Sequence, residues 1–368
     1  MSKPFVTVIM PVRNEERYIA LSLGAVLHQD YPVERMEVVV ADGASDDATR
    51  AIIAALPGAE RVRVIANPER TQAAGMNAAL RVARGAVIVR VDGHAVIAPD
   101  YVRMCVAELA RTGAHNAGGG MHPAGVTETG KAIAAACRSP FAVPSAFHTS
   151  ASGQFTDTVY LGAWPREVFD RVGGFDARMV PNEDYELNYR IRQAGGRVYL
   201  SPKIRSHYFG RQTLGALARQ YARYGRGKVA SLRKSPASLR PRQLVAPTFV
   251  AALALGAPLA LASLALRLPW LSWLAVAWLA LAVAYVALNL GFAVVAARRA
   301  GRALFWRIAL AFAAMHLAWG AGFWAGLLHW PAAPSGAQGS AERARDMPEA
   351  APALARAEAE VAGETHGA

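Results

Sequence analysis

Short β-branched runs alternate with amphipathic stretches over the first 235 residues, and from residue 244 onward polar positions all but vanish. Phe5–Met10, Met36–Ala41, Val62–Ala66 and Ala86–Val91 read as strands. Helical spacing follows the first of them through Leu27 and recurs over 47–56 and 71–83. Strands alternating with helices of this length predict an α/β domain, a mostly parallel sheet with helices on both faces. Further along, Trp164–Phe175 closes on Gly173-Gly174-Phe175, a helix stop with an apolar anchor. Asn182 is placed to cap a helix whose apolar stripe includes Leu187 and Ile191. Val198–Leu200 reads as a strand and Leu214–Tyr224 as a helix.

The later pattern fits only a membrane. Residues 244–266, 270–297 and 303–330 form three apolar runs, the last interrupted by Arg307 near its start. A helical span needs ~20 apolar residues, so three helices fit. Trp270, Trp273, Trp306 and Trp330 lie near the run ends, where interfacial aromatics belong. The expected organisation is an α/β domain over 1–235, a membrane region over 236–330 and a disordered tail over 331–368, rich in Ala, Pro and Glu.

Charge sharpens this division. The chain carries a formal +13, yet no Asp or Glu occurs between Glu186 and Glu342, an interval holding nineteen of the 40 Lys and Arg. The basic excess therefore sits beside the spans, where it faces anionic headgroups rather than nucleic acid. Lys228–Arg242 precedes the first run, and Arg298, Arg299, Arg302 and Arg307 flank the second connection, while the first connection offers only Arg267. The richer sides belong in the cytoplasm, which puts the α/β domain inside and the tail outside a bacterial inner membrane. Cys105 and Cys137 form no Cys-x-x-Cys pair, which argues against a thiolate metal site and fits a reducing compartment. Met1–Phe5 runs straight into a strand without a signal-peptide core, so the first domain is expected to stay where it is made.

In parallel sheets ligands bind beyond the carboxyl ends of the strands, and the acidic turns fall there. Asp42-Gly43-Ala44-Ser45-Asp46-Asp47 follows the second strand: a carboxylate here can hold a base or ribose, and Ser45 or Asp46 can cap the next helix. The same residues serve equally as an ordinary strand–turn–helix junction. Asp92-Gly93-His94 follows the fourth strand and offers two hard ligands to a divalent cation, or else another turn. Glu183-Asp184 opens a helix, where acids complement the dipole, and where a carboxylate can also take a hydroxyl proton. Gln220 and Arg223 share a helix face, either as part of a site or as a solvated basic surface. The loop Pro11–Arg17 lacks the Gly-x-Gly-x-x-Gly of dinucleotide-binding dehydrogenases.

Taken in order, these motifs resemble those of the family 2 glycosyltransferases of the GT-A fold. Pro11-Val12-Arg13-Asn14-Glu15 is similar to their opening loop, Asp42–Asp46 to Asp-Gly-Ser-x-Asp, and Thr71–Leu80 loosely to Gly-x-x-x-Ala-x-Asn. Asp92-Gly93-His94 stands where the family has Asp-x-Asp, Glu183-Asp184 where it has its catalytic pair, and Gln220–Tyr224 where it has Gln-x-x-Arg-Trp. Asp92–Ala95, Tyr224–Gly227 and a short membrane tail look most like the succinoglycan-biosynthesis glucosyltransferase subgroup. His94 and Tyr224 depart from the family pattern, and with the small bundle this favours single-sugar transfer over polymerisation.

The resemblance implies a nucleotide-diphosphate sugar donor, commonly UDP-linked, with Mg²⁺ or Mn²⁺, and inversion in one displacement. It assigns donor contacts to Pro11, Arg13, Glu15, Asp42 and Asp92, and metal contacts to Asp92, His94 and His207. Asp184 becomes the base with Glu183 beside it, while Gln220, Arg223 and Tyr224 meet the acceptor or diphosphate. The implied product is an envelope glycan or exopolysaccharide built on a lipid-linked or saccharide acceptor, alongside other assembly proteins. Two further readings stand next to it: transfer to polyprenyl phosphate or processive synthesis, and an inactive membrane scaffold.

Overall fold

The computed structural model describes residues 3–142, 152–179, 182–234, 239–265 and 269–328. Pro181, Arg267, Trp330 and the tail 331–368 lie outside the described residues. Two compact units emerge: residues 3–126 with 152–210, and residues 127–142 with 211–328.

The first unit is a nine-stranded sheet. Its strands are β1 (Val6–Val12), β2 (Met36–Asp42), β3 (Val62–Ala66), β4 (Val87–Arg90), β5 (Ala95–Ile97), β6 (Asn116–Ala124), β7 (Gln154–Thr156), β8 (Tyr160–Pro165) and β9 (Val198–Phe209). They run in the order β3-β2-β1-β4-β8-β6-β9-β5, with β7 on β9. All five expected strands are present: the first four pair in parallel as β3-β2-β1-β4, and Val198–Leu200 opens β9. Beyond β4 the sheet is mixed: β8 runs antiparallel to β4 and β6, β6 and β9 are parallel, and β5 and β7 are antiparallel to β9.

Period-two alternation divides β1 between two cores. Val6, Val8, Met10 and Val12 face α1 (Ile19–Leu27) and α4 (Tyr101–Thr112), whereas Ile9 joins Ala73, Met76 and Ala79 of α3 (Gln72–Val82). Both faces are covered, which is why these strands read as unbroken apolar runs. Between β2 and β3 lies α2 (Thr49–Ala55), shorter than the stretch 47–56. Neither Ser45 nor Asp46 caps it; Asp47 Oδ1 instead accepts from Thr49 N at 2.9 Å. Helix α3 is capped by Thr71, whose hydroxyl accepts from Ala74 N.

The second unit opens with α5 (Glu128–Cys137). Back in the first, α6 (Glu167–Val172) stops at Gly173, whose φ of 77° suits a residue without a Cβ, and Phe175 is buried behind it. Helix α7 (Glu183–Gln193) buries Leu187 and Ile191, as its stripe implies. Asn182 does not cap it through its side chain; the residue takes a left-handed turn with φ 87°. Deeper in α7, Asn188 accepts from Asn116 Nδ2 at 2.7 Å and donates to Thr158 Oγ1 at 3.0 Å.

The rest of the second unit is α8 (Leu214–Lys234), α9 (Val245–Ala265), α10 (Pro269–Ala300) and α11 (Phe305–Leu328). Among the described residues, three helices are long and apolar enough to cross a membrane, over Pro241–Ser263, Trp273–Ala300 and Arg302–Leu328. Half of the third span's apolar window is buried, against 11% for each of the other two. The difference arises because α5 and α8 pack on the third: Ala132, Ile133, Ala136 and Leu217 share a core with Ile308, Phe312 and Met315. Contact between α8 and α11 is made backbone to backbone. A Cβ on Gly225 would sit 2.3 Å from Trp319 O, and one on Gly322 would sit 2.1 Å from Ala222 O. Small residues permit this approach, as in membrane helix pairs generally.

Candidate active site

The loops after β1 and β2 are stitched together. Gly43 N donates to Val12 O, Asn14 N to Ser45 Oγ, Asn14 Nδ2 to Asp46 Oδ1 and Glu15 N to Thr49 Oγ1. Pro11 is buried and Arg13 half-buried against Gly43, so the two loops make one floor. At its edge Asp42 is buried at the end of β2 and accepts from Ser45 Oγ at 2.6 Å, with Arg50 Nε 3.9 Å away. A carboxylate has about four acceptor sites, so this local turn leaves capacity for a ligand hydroxyl or base.

One strand further along, the acidic residues converge on an arginine. Arg90 closes β4 opposite Ile9, and alternation puts it on the α3 and α7 face above Ile88. It is 5% exposed. Its Nε donates to Asp92 Oδ1 at 2.8 Å, and its Nη2 to Asp92 Oδ2 at 3.2 Å and to Glu183 Oε1 at 3.3 Å. Gln72 Nε2 adds a donor to Asp92 Oδ1 at 3.1 Å. Burial drags the guanidinium pKa down, but Asp92 and Glu183 outweigh it and leave Arg90 firmly charged. Breaking such a buried pair by removing one partner generally costs about 3–5 kcal/mol.

The two carboxylates at the head of α7 sit in different surroundings. Glu183 is 6% exposed; burial pushes its pKa up to about 7 against the pull of Arg90, and neighbouring Asp184 adds to the rise. Asp184 is only half-buried, and its Oδ1 accepts from Tyr185 N at 2.7 Å. Asn77 of α3 braces the chain ahead of this helix, its amide donating to Phe175 O at 2.7 Å and accepting from Phe175 N at 2.9 Å.

His94 lies beside these groups in sequence but is held by the opening loop. Its Nδ1 is 2.9 Å from Glu15 Oε1, and its ring meets Tyr208 edge-on. A carboxylate on one ring nitrogen fixes the ring's orientation, the arrangement found behind metal-binding histidines. Asp92 and His94 are thus suitable oxygen and nitrogen donors for a hard divalent cation. Among the described residues, no three His, Cys, Asp or Glu side chains cluster closely enough to enclose an ion alone. His207, on β9, stands against His122 of β6 with ring centroids 5.7 Å apart. Gln220, Arg223 and Tyr224 belong to α8 in the second unit, where Gln220 Nε2 donates to Tyr224 Oη at 2.7 Å.

Sequence reasoning passed over Arg90, Gln72 and Asn77. A charged residue inside the apolar run Ala86–Val91 was the available signal for the first.

Comparison with known proteins places the chain in a family. The family described as "Glycosyl transferase family 2" matches residues 7–142, and "Glycosyl transferase family group 2" matches 87–332. The succinoglycan biosynthesis protein ExoA of Rhizobium meliloti is 33% identical over 87% of this chain and 94% of its own. A dolichyl N-acetyl-α-D-glucosaminyl phosphate 3-β-D-2,3-diacetamido-2,3-dideoxy-β-D-glucuronosyltransferase of Methanococcus voltae is 26% identical over 62% of this chain and 74% of its own. In fold, the mannosyltransferase PcManGT of Pyrobaculum calidifontis, solved with GDP-Man and Mn²⁺, superposes with a TM-score of 0.55 at 23% identity, over 86% of this chain and 88% of that one. Motif order, sheet and matches converge on one conclusion: the chain belongs to glycosyltransferase family 2 and is a glycosyltransferase with three membrane-type helices, similar to the succinoglycan protein ExoA.

Proposed function

We propose that this enzyme moves one sugar from a UDP-linked donor to a lipid-linked saccharide, with inversion, during exopolysaccharide or envelope glycan assembly at the inner face of a bacterial cytoplasmic membrane. The observation that carries the reading is the contrast at the head of α7, where buried Glu183 is bound to Arg90 while half-buried Asp184 remains accessible. Asp42 receives the nucleoside, and the floor of Pro11, Arg13 and Glu15 supports it. Asp92 meets the ribose side of the diphosphate. A divalent cation, Mg²⁺ or Mn²⁺, held by Asp92 and His94 with His207 as a further candidate, neutralises the leaving diphosphate when bound. Asp184 takes the proton of the acceptor hydroxyl as that oxygen bonds to the anomeric carbon and the bond to the diphosphate oxygen breaks.

The lipid-linked acceptor draws support from the dolichyl-linked sugar in the name of the Methanococcus relative, and a nucleotide-sugar donor with a divalent cation from the GDP-Man and Mn²⁺ bound by PcManGT. The test is direct. Membranes containing the protein are incubated with a panel of radiolabelled nucleotide sugars, and the lipid extract is counted. One donor is expected to label it; no label from any donor, with the protein folded and present, overturns the proposal.

A further inference from the structure

We propose that Arg90 is a positioning residue that locks the donor-side carboxylate to the base-bearing helix, so that Asp92 and Asp184 act from one rigid frame. This rests on the function proposed above and adds a residue outside every motif used there. A single Nη2 donates to Asp92 at 3.2 Å and to Glu183 at 3.3 Å, while Nε secures the other oxygen of Asp92. Glu183 is the first residue of α7 and Asp184 the second, so pinning Glu183 fixes where the Asp184 side chain leaves the helix.

The rest of α7 does not need this tie to stay in place. Leu187 and Ile191 are buried, Asn188 is bonded on both sides, and Arg190 donates to Gly174 O at 2.7 Å. Arg90 itself is an expensive way to fill a core, because its Nη1 is buried with no hydrogen-bond partner among the described residues. Well-packed apolar residues in place of the whole Arg90–Asp92–Glu183 group would suit stability as well or better. What an apolar residue cannot supply is a planar fork spanning two carboxylates, and a lysine ammonium, as a point charge, cannot supply it either.

The experiment uses full-length protein in nanodiscs, as wild type, Arg90→Lys, Arg90→Met, Glu183→Gln and the double variant Arg90→Met/Glu183→Gln. Each is melted and assayed with the labelled nucleotide sugar that the panel identifies. Displaced catalytic groups cost about 100-fold in rate, so Arg90→Met is expected to lose that much in kcat, with donor KM rising as well because Asp92 loses its tie. Arg90→Lys should fail to rescue it. The double variant removes one of the two carboxylates left without their cation, so it should regain part of the melting temperature and yet stay as slow as Arg90→Met. Should Arg90→Met not fold, the lysine and double variants carry the test. Recovery of the Glu183→Gln rate by the double variant, or a near wild-type rate for Arg90→Lys, overturns the proposal. A wild type that transfers no sugar sinks the functional reading instead, whereas an active wild type with an equally active Arg90→Met sinks this inference alone.

Discussion

Replacing Asp184 by Asn separates the catalytic reading of the α7 head from a purely structural one. The asparagine oxygen can still accept from Tyr185 N, so the 2.7 Å contact and the helix start survive while the basic site is lost. A general base is worth roughly two to four orders of magnitude, or about 3–5 kcal/mol in the barrier. Transfer should fall by that factor, with donor KM nearly unchanged because Asp42 and Asp92 are untouched. Glu183→Gln supplies the contrast. Its amide oxygen still accepts from Arg90, so the rate should change by less than about tenfold, below the worth of a general base. Its effect belongs to stability instead. Glu183 has a pKa raised from 4.5 to about 7, so its stabilising contribution is full below about 4.5 and is lost as pH rises through about 7. Glu183→Gln should therefore gain on wild type between pH 5 and pH 8, by at most about 3 kcal/mol. Initial rates of label transfer and melting curves at the two pH values measure both effects. If Asp184→Asn keeps most of the activity while Glu183→Gln loses it, the base has been assigned to the wrong carboxylate. If neither changes the rate, the segment is a helix start and nothing more.

Three shorter predictions follow from the same geometry. Excess EDTA should abolish transfer and Mg²⁺ or Mn²⁺ should restore it; full activity in EDTA removes the cation role from Asp92 and His94. Gly225→Ala should lower the melting temperature in nanodiscs, because a Cβ there would lie 2.3 Å from Trp319 O and 2.6 Å from Phe323 N. Overpacking of this kind costs about 1–3 kcal/mol, and an unchanged melt would show that α8 and α11 part freely. A phosphatase fused after Ala368 should be active, since three spans from an inner-face catalytic domain place the tail outside; an inactive phosphatase with a bright fluorescent-protein fusion at the same site indicates an even number of crossings.

Local chemistry alone determines much of this protein. The β-branched runs of β1–β4 admit few conformations other than strands, and helices between them force parallel pairing, which carries Asp42 and Asp92 to one edge of the sheet. The three apolar stretches are long enough to be spans whatever surrounds them. These are short-range properties, set by side-chain period and length. Partnership is not short-range. Arg90 meets Glu183 across 93 positions, and His94 meets Glu15 across 79. A buried charge must find an opposite charge or a donor, but which one it finds depends on strand order and on where α7 lands. The antiparallel entry of β8 between β4 and β6 likewise follows from packing, not from any pattern within Tyr160–Pro165. The stretch Tyr224–Gly227 shows the same division. In sequence it is a family signature, and only the packed helices reveal that Gly225 is there because the backbone of α11 occupies the space a side chain would need.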